Sequence, residues 1–499
     1  MARGDVINYF GANPVIPGAD PDGDASDGSS SSASSSTSSS SAGSPASPGQ
    51  SAPLDLDSGN LTGSFSRIVE QMQATRPQPA VHPDLDHAVT DDSGRFASHL
   101  AAAREAAARQ STPTSPDELT RTSWVEIDLG AISHNVRVAA KRLGPGKKLM
   151  AVVKADAYGH GAVPVAKTAL KSGATHLAVA TTDEAVELRL AGLTAPILVL
   201  AEPPARAIPT LLAYRIMPTV TTAEFALKLG EAADAQGTVA KYHLAIDTGM
   251  NRIGVYHLDA VDFLQQIGFH RGLALDGVFT HFATSDEATD WEFRKQLSRF
   301  NEALQLLQNA RIDTGIVHSS NSAATLRYPE AHFDMGRLGI SMYGVAPSPE
   351  MRPEVSSELR PAMSVKARIS YIHEPQIGEG VSYGLNYRVA KPVQIATVPI
   401  GYADGLRRSL SGKMRVLVNG RVCRQVGNIC MDQMMVEIPL ERSVDGREGG
   451  ASIGDEVVII GRQGGIEVTA DMMADELGTI DHEVMCLFAL RLPKIYIGD

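Results

Sequence analysis

The sequence has 499 residues and a net charge of −12, a length suited to two domains plus further segments. That acidic balance argues against a general nucleic-acid or anionic-membrane binder. Its three cysteines, Cys423, Cys430 and Cys486, form no CxxC pair and no disulfide framework, which suits a reducing compartment. No apolar run reaches membrane-spanning length, and "MARGDVINYFGANPV" has no long apolar core or cleavage site, so a cytoplasmic protein is expected.

Residues 1–119 read as a disordered extension rich in Ser, Pro and Ala. The stretch "GSSSSASSSTSSSSAGSPASPGQ" has almost nothing to bury and cannot offset the entropy of ordering it. The Ala-rich "FASHLAAAREAAARQ" is helix-prone, but an isolated helix of that length is marginal in water.

From "TSWVEIDLGAISHNVRVAAKRLG" onward, apolar strands alternate with amphipathic helices. With that unit taken as the first, further strands follow at "KKLMAVVKA", "HLAVA", "APILVL", "RIMPTV", "YHLAID", "LDGVFTHF" and "TGIVHSS". About eight such units in residues 120–350 predict an α/β fold, a (β/α)8 TIM-like barrel with strands buried on both faces. No GxGxxG follows any strand, which weakens a dinucleotide-binding sheet. Residues 351–499 change rhythm. "MSVKARISYIHEPQIGEGVSYG", "KMRVLVNGRVCRQVGNICMDQMMVEIP" and "GDEVVIIG" are β-rich pieces divided by Gly turns, predicting a mostly antiparallel β domain.

In such a barrel, chemistry gathers where strands end. Lys154, in "AVVKADAYGHGA", closes an apolar run and enters a loop of small residues. An arbitrary loop lysine is usually just solvated. One held partly desolvated at a strand end, with room for a ligand, can act as an amine nucleophile or a base.

"VVKADAYGHG" resembles the pyridoxal-phosphate lysine motif of the alanine racemase family. "DTGMNRIG", "THFATSDE", "HSSNSAA", "GRLGISMYG", "VSYG", "PIGYADG" and "GNICMDQ" resemble that family's other stretches, in its order, from about residue 120 to the end. The resemblance implies pyridoxal 5′-phosphate as cofactor, no metal, and interconversion of L- and D-alanine by two acid–base groups. Lys154 would be the Schiff-base lysine, and Tyr383 the second group on the opposite face. His281 would link that tyrosine to Arg337, which would face the pyridine nitrogen. A guanidinium donates a hydrogen bond without handing over a proton. Tyr158, Ser322 and the backbone amides of Gly339 and Ile340 would hold the phosphate. Arg252 and the amide of Met431 would meet the substrate carboxylate. Tyr402 matches a tyrosine at the family's substrate entrance, whereas Tyr343 lies near the phosphate loop. Either of these two could instead be a buried aromatic with a satisfied hydroxyl.

The resemblance further implies a homodimer, in which Tyr383 and Met431 serve the partner's barrel. A role in supplying D-alanine for peptidoglycan also follows from it. Three positions depart from the family's pattern. Ala245 stands where some members carry a carbamylated lysine, Asn428 where an arginine is common, and Leu490 where some have a tyrosine. The closest rival is a broad-specificity amino-acid racemase on the same scaffold. A basic-amino-acid decarboxylase would call for an acidic partner at Arg337. A non-catalytic cofactor-binding barrel would lack the β domain.

Overall fold

The structure is a computed structural model and describes residues 115–441, 446, 449–489 and 491–498. The Ser- and Pro-rich segment up to residue 114, and Leu490, lie outside the described residues. Those that begin the described chain form a short 3-10 turn, Pro116–Glu118, with the Ser115 hydroxyl accepting from the Asp117 amide.

Eight strands form the barrel: β2 (Lys148–Val152), β3 (His176–Val179), β4 (Ile197–Val199), β5 (Met217–Val220), β6 (Ala240–Asp247), β8 (Leu273–Phe279), β9 (Ile316–His318) and β10 (Met335–Leu338). A two-residue strand, β7 (Val255–Tyr256), pairs with β6 outside this ring. The order is β10-β2-β3-β4-β5-β6-β8-β9, and every neighbouring pair is parallel. Two main-chain bonds bring the ends of that path together: Asp334 N donates to Val317 O at 3.0 Å and Arg337 N to Ser320 O at 3.0 Å. Strands β3, β4 and β5 are buried at every residue, as expected when helices cover the outside and side chains fill the inside.

One assignment from the sequence is corrected. β1 (Ser123–Asp128), taken above as the first barrel strand, lies in the second sheet. There it pairs antiparallel with Met363–Arg368 and parallel with the last strand, Lys494–Ile497. The eighth barrel strand is instead β10, which carries Arg337. The helix after β1, Leu129–Leu143, is N-capped by Asp128, whose carboxylate accepts from Ala131 N, and crosses to pack on β2 and β10.

The second sheet has ten strands and is antiparallel apart from the pairing of β1 with the last strand. One continuous apolar core runs from barrel residues such as Leu177 and Val199 into sheet residues such as Val365 and Val436. Among the described residues, no helix is long and apolar enough to cross a membrane.

Candidate active site

β2 delivers Lys154 to the end of the barrel where the strands finish. Val153 N still bonds to Ala178 O of the neighbouring strand at 2.9 Å. Beyond it the chain winds the unusual way: Ala155, Asp156, Ala157 and Tyr158 all have φ between 52° and 54°. Left-handed turns cost L-residues about 1–2 kcal/mol each, so the surroundings must hold this one. Glu184 does so from the helix Thr182–Leu190 that follows β3, where it also closes a capping box with Thr181; its Oε1 accepts from Ala155 N at 2.7 Å. Asp156 accepts from Ala162 N at 2.8 Å and pairs with Lys494 Nζ at 2.9 Å. The His160 Nδ1 lies 3.0 Å from Tyr158 O. Gly159 leaves the turn with φ 83°, and a Cβ there would sit 2.6 Å from Met485 O.

Lys154 is half-buried. Burial, and then the charge of Arg252, lower its pKa toward the neutral amine that a nucleophile or base needs. Tyr158 beneath it is pushed up to about 12 by burial, so its phenol stays protonated and can donate.

Arg337 is fully enclosed. Nη2 donates to Thr280 O at 2.9 Å, Ser319 O at 3.0 Å and His281 Nδ1 at 3.1 Å. Nη1 donates to His318 Nδ1 at 3.0 Å and His318 O at 3.2 Å. Guanidinium has no acceptor, so His281 Nδ1 must accept and its hydrogen must sit on Nε2. Burial and the charges of Arg337, Arg252 and Lys154 hold His281 far below its ordinary pKa, hence neutral. The link between His281 and Arg337 that the sequence implied is therefore a direct hydrogen bond of defined direction.

A second group converges across the cavity. Ser322 Oγ accepts from Gly339 N at 2.9 Å and from Ser341 N at 3.4 Å. A Cβ at Gly339 would lie 3.1 Å from the Tyr158 hydroxyl and 3.7 Å from Ser322 Oγ. Glycine thus leaves a small cradle ringed by hydroxyls and main chain, suited to an anion such as a phosphate. Ile340, beside it, is buried and also faces the cavity. Tyr343 is a packing residue: it is buried, with its hydroxyl donating to Val152 O at 2.8 Å just below Lys154.

Lys154, Tyr158, Arg252, His281, Ser322, Arg337, Gly339 and Ile340 all line one cavity of about 600 Å³. Ala245 lines it too and contributes only a methyl group. Tyr383 and Met431 do not line it; they are 73% and 53% exposed, Tyr383 in the turn of a separate two-stranded hairpin, Gly380–Val381 with Tyr387–Arg388, and Met431 on a loop of the second sheet. Tyr402 is exposed likewise. The Tyr383 loop is nonetheless braced. Asn428 Nδ2 donates to Tyr383 O at 2.6 Å and Ser382 Oγ to Asn428 O at 2.7 Å. Asn428, a departure in sequence, thus supports the loop that carries Tyr383.

Sequence reasoning missed three contributors. Ile480 and His482, at the start of the helix Asp481–Leu487, close one side of the cavity, and the His482 ring lies 6.0 Å from that of Tyr158. Gln296, buried on the helix Trp291–Asn309, donates to His281 O at 3.1 Å and accepts from Ala283 N at 2.8 Å. None of the three sits in a motif, and only the fold brings them to the site.

Residues 127–347 match the family model of the alanine racemase N-terminal domain, and residues 362–496 that of its C-terminal domain. The chain is 42% identical over 377 residues to an alanine racemase of Desulfovibrio desulfuricans, covering 76% of this chain and 98% of that protein. It is 41% identical over 378 residues to an alanine racemase of Halothermothrix orenii, covering 76% and 97%. A crystal structure of alanine racemase from Bacillus anthracis with bound L-Ala-P superposes with a TM-score of 0.71 at 41% identity, covering 76% of this chain and 97% of that one. With both family domains matched and this identity sustained over nearly the whole length of its relatives, the chain belongs to the alanine racemase family.

Proposed function

We propose that this isomerase interconverts L- and D-alanine with pyridoxal 5′-phosphate held at the barrel mouth, by a two-group mechanism shared between Lys154 and Tyr383. The observation that carries this reading is the convergence on one cavity of Lys154, neutral His281, donor-only Arg337 and the hydroxyl-ringed cradle at Gly339. The cradle and the cavity fit the cofactor: Tyr158, Ser322, Gly339 and Ile340 would hold its phosphate and Arg337 its pyridine nitrogen. When bound, the cofactor withdraws electron density from the amino acid's α-carbon and makes the α-proton acidic.

Lys154 then holds and moves a proton at Nζ, for which its lowered pKa is suited. Arg337 would donate a hydrogen bond to the ring nitrogen but hand over no proton, so the cofactor held there would withdraw electrons less strongly than one with a protonated ring. Weaker withdrawal keeps reprotonation at the α-carbon, as racemisation requires. Arg252 at the cavity's edge would meet the substrate carboxylate. Ile480 and His482 wall one side of that space, and a surface closing over it would exclude water.

Tyr383 and Met431, exposed and braced but away from their own chain's cavity, suit service in a partner's site. The assembly is then a homodimer with two shared active sites. Three free thiols fit a cytoplasmic location, and D-alanine from this reaction would supply peptidoglycan precursors. Racemisation of a panel of L-amino acids, with and without added pyridoxal 5′-phosphate, tests the reading. Cofactor-dependent turnover of alanine above the larger amino acids is expected. Turnover without cofactor, or preference for a larger side chain, would overturn it.

A further inference from the structure

Beneath the site, a line of polar groups descends through the barrel. Nη1 of Arg337 donates to His318 Nδ1 at 3.0 Å. His318 Nε2 lies 2.9 Å from His243 Nδ1. His243 Nε2 faces Asp276 Oδ2 at 3.7 Å, and Asp276 Oδ1 accepts from Lys241 Nζ at 2.7 Å. Lys241 is 63% exposed, so the line ends in solvent. The hydrogen-bond partners of Arg337 given above are all neutral, and a buried cation calls for a compensating charge.

The chemistry of the two ends fixes the direction of every hydrogen between them. Arginine only donates, so His318 Nδ1 accepts and its hydrogen sits on Nε2. That hydrogen must go to His243 Nδ1, which leaves His243 its own hydrogen on Nε2. A carboxylate only accepts, and Asp276 Oδ2, 3.7 Å from His243 Nε2, is the charged group that hydrogen can meet. Burial keeps both imidazoles neutral, so neither can donate from both nitrogens. Reversing any one link would set two donors or two acceptors against each other.

We propose that Asp276 is a positioning residue for Arg337, acting through His243 and His318 to fix their tautomers and hence the guanidinium's orientation. The part that concerns catalysis rests on Arg337 facing the cofactor, as proposed above; the tautomer pattern does not. The 3.7 Å step is the longest, and His243 Nε2 has no closer partner, so the effect of Asp276 is decided there.

The test uses the full-length protein labelled with ¹⁵N-histidine, and long-range ¹H–¹⁵N correlation spectra recorded without added cofactor. Signals are assigned with His243→Gln and His318→Gln. Both histidines are expected as the Nε2–H tautomer. Asp276→Asn, whose amide can also donate, is expected to convert His243 at least partly to Nδ1–H, while Asp276→Glu retains the native pattern. In the cofactor-loaded enzyme, Asp276→Asn is expected to lower kcat about tenfold, as for removal of the charge that orients the line beneath Arg337. KM for alanine should stay within about twofold, and Asp276→Glu should recover most of kcat. Nδ1–H on His318 in the unaltered protein would overturn the proposal, whatever the variants do. So would Asp276→Asn with unchanged tautomers and unchanged kcat. If Asp276→Asn does not fold, the unaltered spectrum and Asp276→Glu still decide. If the unaltered protein shows the expected tautomers but does not racemise alanine, the functional reading fails and the directional chain stands.

Discussion

The barrel mouth and the loops of the β domain handle their reactive side chains in opposite ways. Arg337 is buried with both terminal nitrogens hydrogen-bonded, and Lys154 rides on a left-handed turn braced by Glu184, Asp156 and His160. Tyr383 and Met431 are more than half exposed, and the contact that steadies Tyr383 is made to its backbone, by Asn428. A group that must bind and orient a cofactor gains from rigidity on all sides. Under the proposed shared site, a group with its side chain free and its main chain fixed meets a surface that its own chain does not provide.

The largest expected effect falls on the barrel side. Lys154→Ala should lower racemisation by roughly 10³-fold or more and abolish the visible absorbance of bound pyridoxal 5′-phosphate. Retention of both would remove Lys154 from the centre of the chemistry. The bracing is next. Gly159→Ala forces a Cβ against Met485 O at a φ of 83° and should cost about 1–3 kcal/mol, read as a lower urea midpoint. An unchanged midpoint would mean the turn is not confined as described.

The barrel and its surroundings also bury imidazoles. His160, His176 and His482 are pushed down to about 4, by burial first in each case. An unfolded histidine titrates near 6.5, so between about pH 6.5 and 4 the unfolded chain takes up protons that the folded chain refuses. Stability should therefore fall as pH drops through that window, and the urea midpoint at pH 4.5 should lie below that at pH 7. An equal or higher midpoint would contradict the burial of these rings. On the exposed side the expected effect is smallest. Asn428→Ala removes one backbone contact worth about 1 kcal/mol, and kcat should drop about fivefold with overall stability nearly unchanged. No change in kcat would show that the Tyr383 loop needs no such support.

The two regions also differed in what the sequence disclosed. Strand–helix alternation announced the barrel, because strands buried on both faces are apolar throughout. It misplaced one strand for a physical reason. "SWVEID" alternates and leads into an amphipathic helix, so its local pattern matches a barrel unit, whereas its partners lie some 240 and 370 residues away by register with Lys366 and Ile495. The true eighth strand, "MGRL", is four residues long with an arginine inside and gives no apolar run. Lys154, Arg337 and the Gly339 cradle were legible as motifs because backbone and chemistry constrain them together. Gln296 and His482 act through packing between distant segments, and no local spacing marks them. Under the proposed shared site, Tyr383 stands outside its own cavity because of assembly, which spacing along one chain does not express.

The shared site is tested most directly by mixing two inactive proteins, Lys154→Ala and Tyr383→Phe, after dissociation and reassociation. If Tyr383 serves the partner's barrel, each mixed dimer holds one site lacking both groups and one site intact. About half the normal activity per mixed dimer should then return. If each chain completes its own site, every site in the mixture lacks one group. Verified mixed dimers that remain as inactive as their parents would contradict the shared site.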